Sequence, residues 1–184
     1  VCRGDFAGGN VAWFPDGMLN VSVNCLDRHP PDHTAIIWEG DEPTDVKRIT
    51  YGEALAGTCQ LANALRARGV RKGDRVCLYM PMVPEAAYAM LACARIGAIH
   101  SVVFAGFSAE ALSGRLIDAQ STVVVTANGV MRGQKPIPLF EIVNEAAQIC
   151  GEACMVIDSM IVLQRLPEEQ VRVRVRARAR VRVR

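Results

Sequence analysis

Two short clusters in this chain combine residue types suited to gripping an anionic, partly planar ligand. The first is Phe104-Ala105-Gly106, an aromatic followed by two small residues where an apolar run ends. Small residues let backbone approach a flat ligand closely, and the Phe104 ring could pack against it. Plain core packing is the competing reading for Phe104. The second cluster is Arg132-Gly133-Gln134-Lys135, two cations flanking a short loop. Arginine can hold a phosphate through two parallel N–H bonds, whereas lysine offers a point charge. Solvated loop charge is the competing reading here.

The elements that must position these clusters can be read from local signals. Thr34–Glu39 (TAIIWE) reads as a strand, followed by a polar loop through Asp41, Pro43 and Asp45. Thr50 with Glu53 three residues later forms a capping box, and Leu55, Cys59, Ala62 and Leu65 follow at helical spacing. Arg66 and Arg68 suit the negative end of that helix, and Gly69 can take the left-handed position beyond it. Lys72-Gly73-Asp74 turns into RVCLYM, a short apolar run expected of a strand buried on both faces. Pro84 fits a first helical turn, with Ala87, Met90, Leu91, Ala94 and Ala98 as the expected packing face. IHSVVF, ending at Phe104, reads as a second buried strand. Ser108 caps a helix carrying Leu112 and Leu116, TVVVTA (Thr122–Ala127) is a third strand, and Leu139–Cys150 a further helix. Alternation of this kind predicts an α/β fold of βαβ units with a mainly parallel sheet. Ligands in such sheets lie at the strand C-terminal ends. The loops after Phe104 and Ala127 are therefore the expected site.

Composition excludes several functions. The formal net charge is +2, but residues 171–184 hold seven arginines and no acid, leaving 14 basic against 19 acidic residues elsewhere. A body of net −5 has no electrostatic reason to seek nucleic acid. The Val/Arg tail reads as a translated purine–pyrimidine repeat, and so as a gene-model artefact. Nucleic-acid binding through it is the alternative. Seven cysteines without a CxxC pair, and no secretory signal, point to a reducing compartment. Cys59, Cys77 and Cys93 sit in apolar runs, and Cys150 and Cys154 could share a helix face. The opening Val1 suggests an incomplete or processed N-terminus. No apolar run reaches membrane-span length. His29 and His33 have metal-like spacing, but Pro30 and Pro31 keep them off one helical face, and His100 reads as packed within its strand. No metal site is expected. Arg3-Gly4-Asp5 is read as chance, and Arg66, Arg68, Arg71, Lys72 and Arg75 as a solvated helix end. Ser101, Ser108 and Ser113 lack His/Asp partners in any hydrolase pattern.

A longer pattern resembles a known family. WFPDGMLNVSVNCLDRH (Trp13–His29), TAIIWEGDEP, ITYGEAL, LYMPMVPEAAYAMLACARIGAIHSVVFAGFS and the Arg-Gly stretch after Thr126 occur in order without large gaps. Together they resemble the N-terminal part of the AMP-forming acetyl-CoA synthetases, of the acyl-adenylate-forming superfamily, over about three-quarters of the chain. The fold this implies is an incomplete N-terminal part of the large α/β domain. The implied organisation is an irregular, extended wrapping segment at 1–33, the partial domain at 34–165 and the low-complexity tail at 166–184. The implied activity is acetate–CoA ligation: acetate and ATP give acetyl-AMP and pyrophosphate, and the acetyl group then passes to coenzyme A. Acetate, ATP with magnesium, and coenzyme A are the implied small-molecule ligands, in the cytoplasm or mitochondrial matrix. By the same resemblance, Phe104-Ala105-Gly106 lies against the nucleotide end of coenzyme A, and Arg132-Gly133-Gln134-Lys135 contacts its 3′-phosphate. Ala105 stands where the family commonly has glycine, and Lys135 where it commonly has arginine. No Ser/Thr-Gly-Lys phosphate loop occurs in the chain. No catalytic residue is therefore assigned, and the 184-residue chain alone is expected to be inactive. A non-catalytic coenzyme A-binding or interaction module is the alternative.

Overall fold

The computed structural model describes residues 2–167. The Val/Arg repeat, with both readings of it, lies outside the described residues. In chain order the elements are β1 (Cys2–Asp5), β2 (Asn10–Trp13), a π-helical turn (Val23–Asp27), β3 (Thr34–Glu39), β4 (Val46–Thr50), α1 (Tyr51–Ala67), β5 (Arg75–Tyr79), α2 (Pro84–Ile96), β6 (Ile99–Val102), α3 (Ala109–Ala119), β7 (Val123–Ala127), β8 (Val130–Arg132), β9 (Lys135–Ile137), α4 (Leu139–Glu152) and β10 (Ser159–Leu163). Four of these strands form one parallel sheet in the order β10-β7-β5-β6. From β5 the chain steps to β6 on one side and then returns to β7 and β10 on the other. That reversal, between β5 and β7, is the switch point at whose C-terminal ends open α/β sheets place ligands.

Side-chain alternation along β5 builds two cores. Val76 and Leu78 pack with Leu61, Leu65, Ala89 and Cys93 of α1 and α2. Cys77 and Tyr79 point the other way, to Leu112 and Leu116 of α3 and Val143 of α4. Leu65, Leu112 and Leu116 are fully buried, each contributing about 2 kcal/mol of transfer free energy. Burial pushes the Cys77 and Cys93 thiols up to about 12, so they act as small hydrophobes.

The local signals hold where they were strong. Thr50 accepts from the Glu53 N–H while the Glu53 carboxylate accepts from the Thr50 N–H, closing the capping box. Gly69, with φ +85°, follows the end of α1, and Ser108 accepts from the Ala111 N–H to cap α3. Several expectations need correction. IHSVVF is not a buried strand: β6 is the sheet edge, and Ile99, His100, Val102 and Phe104 are exposed because no strand or helix covers that side among the described residues. The buried face of α2 is Ala89, Ala92 and Cys93 rather than Ala87, Leu91 and Ala94, since α1 and β5 together fix the helix's rotation. Cys154 lies beyond α4 at φ 59° and shares no face with buried Cys150, and Cys59 is half-buried. His29 stacks on Tyr51, with ring centroids 4.3 Å apart.

The segment before β3 is not extended through Asn20 and Asn24, and it is irregular only in part. It holds an antiparallel hairpin (β1–β2) and the π-helical turn. The Asn20 side chain fixes that turn: its oxygen accepts from the Ser22 and Val23 N–H groups, and its Nδ2 donates to Ala94 O and Arg95 O. Arg95 in turn donates to both Asp27 carboxylate oxygens (2.6 and 2.9 Å) and to Ser22 Oγ. Hydrogen bonding from Arg95 holds the Asp27 carboxyl below its usual range. A carboxylate depressed in the folded state stabilises fully above its unfolded pKa of about 4, and that stabilisation disappears as pH falls through the lower folded value. Asp27 is exposed to solvent, which screens the pair, so Asp27→Asn is expected to cost about 1 kcal/mol at neutral pH and progressively less in acid. Urea denaturation across the acid range checks this; a deficit that persists at the most acid pH would contradict it.

Candidate functional site

The C-terminal edge of the sheet brings the two clusters together. Tyr79 ends β5 fully buried; its hydroxyl donates to Phe107 O at 2.7 Å, and its carbonyl accepts from Thr126 Oγ1 at 2.8 Å. This pins the loop after β6 to the two central strands. Within that loop Ala105 turns inward, its methyl part of the core with Val103, Ala109 and Leu112. Phe104 turns outward and is 65% exposed, so it is not core. Its ring meets Phe107 edge-on at 5.8 Å, and the Arg115 guanidinium lies over Phe107 at 4.5 Å from the ring centroid. Phe104 is thus held as a platform with a free face.

Gly106 is the joint between the clusters. A Cβ there would lie 2.7 Å from Arg132 Nη2 and collide with the Phe104 ring, so any larger residue pushes these two exposed side chains out of their present positions. Arg132, Gly133, Gln134 and Lys135 are all exposed. They are not a plain loop: they form the tip of the β8–β9 hairpin, with Gly133 at φ 60° in the turn and Arg132 paired in register with Lys135. Register partners project from the same face, and like charges placed there repel. Neither cation has an ion-pair partner among the described residues. An anion between them relieves that repulsion. Burial raises the Tyr79 phenol above its ordinary pKa, and the Arg132 charge partly opposes the rise, which puts that cation close to the C-terminal end of β5.

Sequence reasoning passed over the residues that brace this arrangement. Asn128, directly after β7, is fully buried and uses its carboxamide on the backbone of Arg165 and Leu166. Tyr79, Phe107 and Arg115 complete the brace. Two signals were available: a tyrosine closing a buried run must find a partner for its hydroxyl, and an asparagine beside a buried strand must satisfy its amide.

An AMP-binding enzyme family model matches residues 24–181, and the chain belongs to that family. The parallel sheet with helices on both faces is a part of that family's domain. Among individual proteins, the chain is 57% identical to the acetyl-coenzyme A synthetase of Sinorhizobium fredii over 162 residues, covering 85% of this chain and 25% of that relative. It is 55% identical to the acetyl-coenzyme A synthetase of Agrobacterium fabrum over 158 residues (84% and 24%) and 54% identical to that of Mesorhizobium japonicum over 159 residues (85% and 24%). The chain therefore spans about a quarter of the length of these relatives. Among the described residues, no helix is long and apolar enough to cross a membrane.

Proposed function

We propose that this chain is the coenzyme A-facing segment of an acid–thiol ligase that makes acetyl-CoA from acetate, ATP and coenzyme A through acetyl-AMP. The observation that carries the reading is the like-charged Arg132–Lys135 register pair set against Gly106 and the open face of Phe104. An adenine ring lies on Phe104, the Gly106 backbone permits its close approach, and the 3′-phosphate bridges Arg132 and Lys135. Arg132 supplies the fork and Lys135 the point charge, with Gly133 and Gln134 forming the turn between them. Ala105 serves from behind, fixing the loop to the core rather than touching ligand.

Adenylation requires positive charge and backbone donors aimed at the α-phosphate of ATP. The sequence supplies no glycine-rich phosphate loop for it. ATP, with its magnesium, and the acyl group belong in this reading to the remainder of a longer enzyme. The name acetyl-coenzyme A synthetase, carried by the relatives, supports the overall reaction in this reading. The test is a pair of measurements on the 184-residue chain. Titration with coenzyme A is expected to show saturable binding, and acetate-dependent ATP–pyrophosphate exchange is expected to be absent. An exchange signal, or no coenzyme A binding, would overturn the proposal.

A further inference from the structure

The opposite, N-terminal edge of the sheet carries a second basic site. There the C-terminal ends of α1 and α2 and the turn into β5 enclose a cleft of about 580 Å³. Its wall includes Arg66, Arg71, Lys72 and Arg95, with Cys59 and Asn63, and no carboxylate. The basic cluster read as uniformly solvated in the sequence is in fact divided. Arg68 donates to Ala64 O, and Arg75 to Ala119 O and Gln120 O, which occupies both. Arg66, Arg71 and Lys72 are exposed, open onto the cleft and make no ion pair among the described residues.

The frame beneath these cations is fixed. Gly73 N donates to Gly97 O at 2.9 Å and Ile99 N to Asp74 O at 2.8 Å, tying the two turns together. A Cβ on Gly97 would come within 2.9 Å of Lys72 Cγ, so glycine lets the lysine stem lie across the turn. Arg95 is neutralised by Asp27. The two helix C-termini contribute about half a negative charge each, and the Asp74 carboxylate, which accepts from the Arg71 N–H at 2.7 Å, offsets roughly one more, leaving the three free cations about one charge in excess. Helix-end compensation alone does not need that much. The wall has no aromatic side chain, so nothing in it selects a nucleobase.

We infer that this cleft binds a compact polyvalent phosphate of the inorganic pyrophosphate class, with Arg66 and Arg71 as forks and Lys72 as a point charge. The site lies at the other end of the sheet from the Phe104–Arg132 cluster and stands independently of the coenzyme A reading. Cys59, half-buried on the wall, reports on occupancy. The experiment alkylates the full chain with an uncharged reagent, with and without inorganic pyrophosphate at constant ionic strength, and follows each cysteine by peptide mass spectrometry. Pyrophosphate is expected to slow Cys59 while leaving Cys154, exposed and outside the cleft, unchanged. In the Arg71→Gln/Lys72→Gln variant the half-protecting concentration is expected to rise about tenfold. Arg66→Gln, a single change on an exposed helix position, gives an independent reading if the double variant fails to fold. Phosphate held only by the arginine tail protects neither cysteine selectively. Absent protection in the unmodified chain, or equal protection in the variants, overturns the inference.

Discussion

Asn128→Ala is expected to destabilise the chain by about 3 kcal/mol and to free the segment after β10. The Asn128 carboxamide oxygen accepts from the Arg165 N–H (2.9 Å) and the Leu166 N–H (3.1 Å), and its Nδ2 donates to Leu166 O at 2.7 Å. Its own backbone N–H donates to Leu163 O. Asn128 and Leu166 are both buried, so alanine would leave main-chain groups there without partners or water. An unpaired buried donor or acceptor costs more than the net value of the lost bond. Arg165 also pairs with Asp41 in the loop between β3 and β4, so release of this segment loosens a second contact. Equilibrium urea unfolding measures the cost; a change below about 0.5 kcal/mol, typical of an uninvolved surface site, would contradict the assignment.

Gly106→Val is expected to lower coenzyme A affinity about 30-fold, roughly 2 kcal/mol, with little change in melting temperature. Gly106 does not occupy the left-handed region, so its backbone accepts a side chain without strain. The effect is steric: the new Cβ pushes into the Phe104 ring and the Arg132 guanidinium, displacing the platform and the fork together. Because the loop is exposed at that position, the core is untouched. Calorimetric titration alongside thermal melting separates the two effects. Unchanged affinity would mean that the crowding at Gly106 serves packing alone.

The elements legible in the sequence are those whose signals are local. Thr50 with Glu53, Pro84 at the head of α2, Ser108 before α3 and the β-branched run TVVVTA each carry their own physical cause, and each forms. What escaped depends on distant partners. SMIVL becomes β10 only because β7 offers it an edge, with Ile161 opposite Val125. Val46–Thr50 is a strand because Trp38 and Glu39 pair with Lys47 and Val46. IHSVVF has the composition of a buried strand yet forms the sheet edge, since composition does not state which neighbours a strand meets. The rotation of α2 likewise depends on α1 and β5, which its own residues do not specify.

The candidate site was legible in location and illegible in construction. Strand-end logic singled out the loops after Phe104 and Ala127, and those loops do converge. Nothing in the residue order shows that Gly106 crowds both Phe104 and Arg132, or that Ala105 faces the core. Nor does spacing alone reveal that Arg132 and Lys135 are hairpin partners with opposed like charges. These facts come from the β8–β9 hairpin, whose short strands carry little signal of their own.

The most direct measurement compares coenzyme A with 3′-dephospho-coenzyme A on the unmodified chain and on Arg132→Ala. The two ligands differ only in the phosphate assigned to the Arg132–Lys135 pair. The unmodified chain is expected to prefer coenzyme A by at least about tenfold, the value of one charge-assisted contact. In Arg132→Ala most of that preference should vanish while dephospho-coenzyme A binds nearly as before. Equal affinities in the unmodified chain, or a preference that survives Arg132→Ala intact, would place the 3′-phosphate elsewhere and contradict the account.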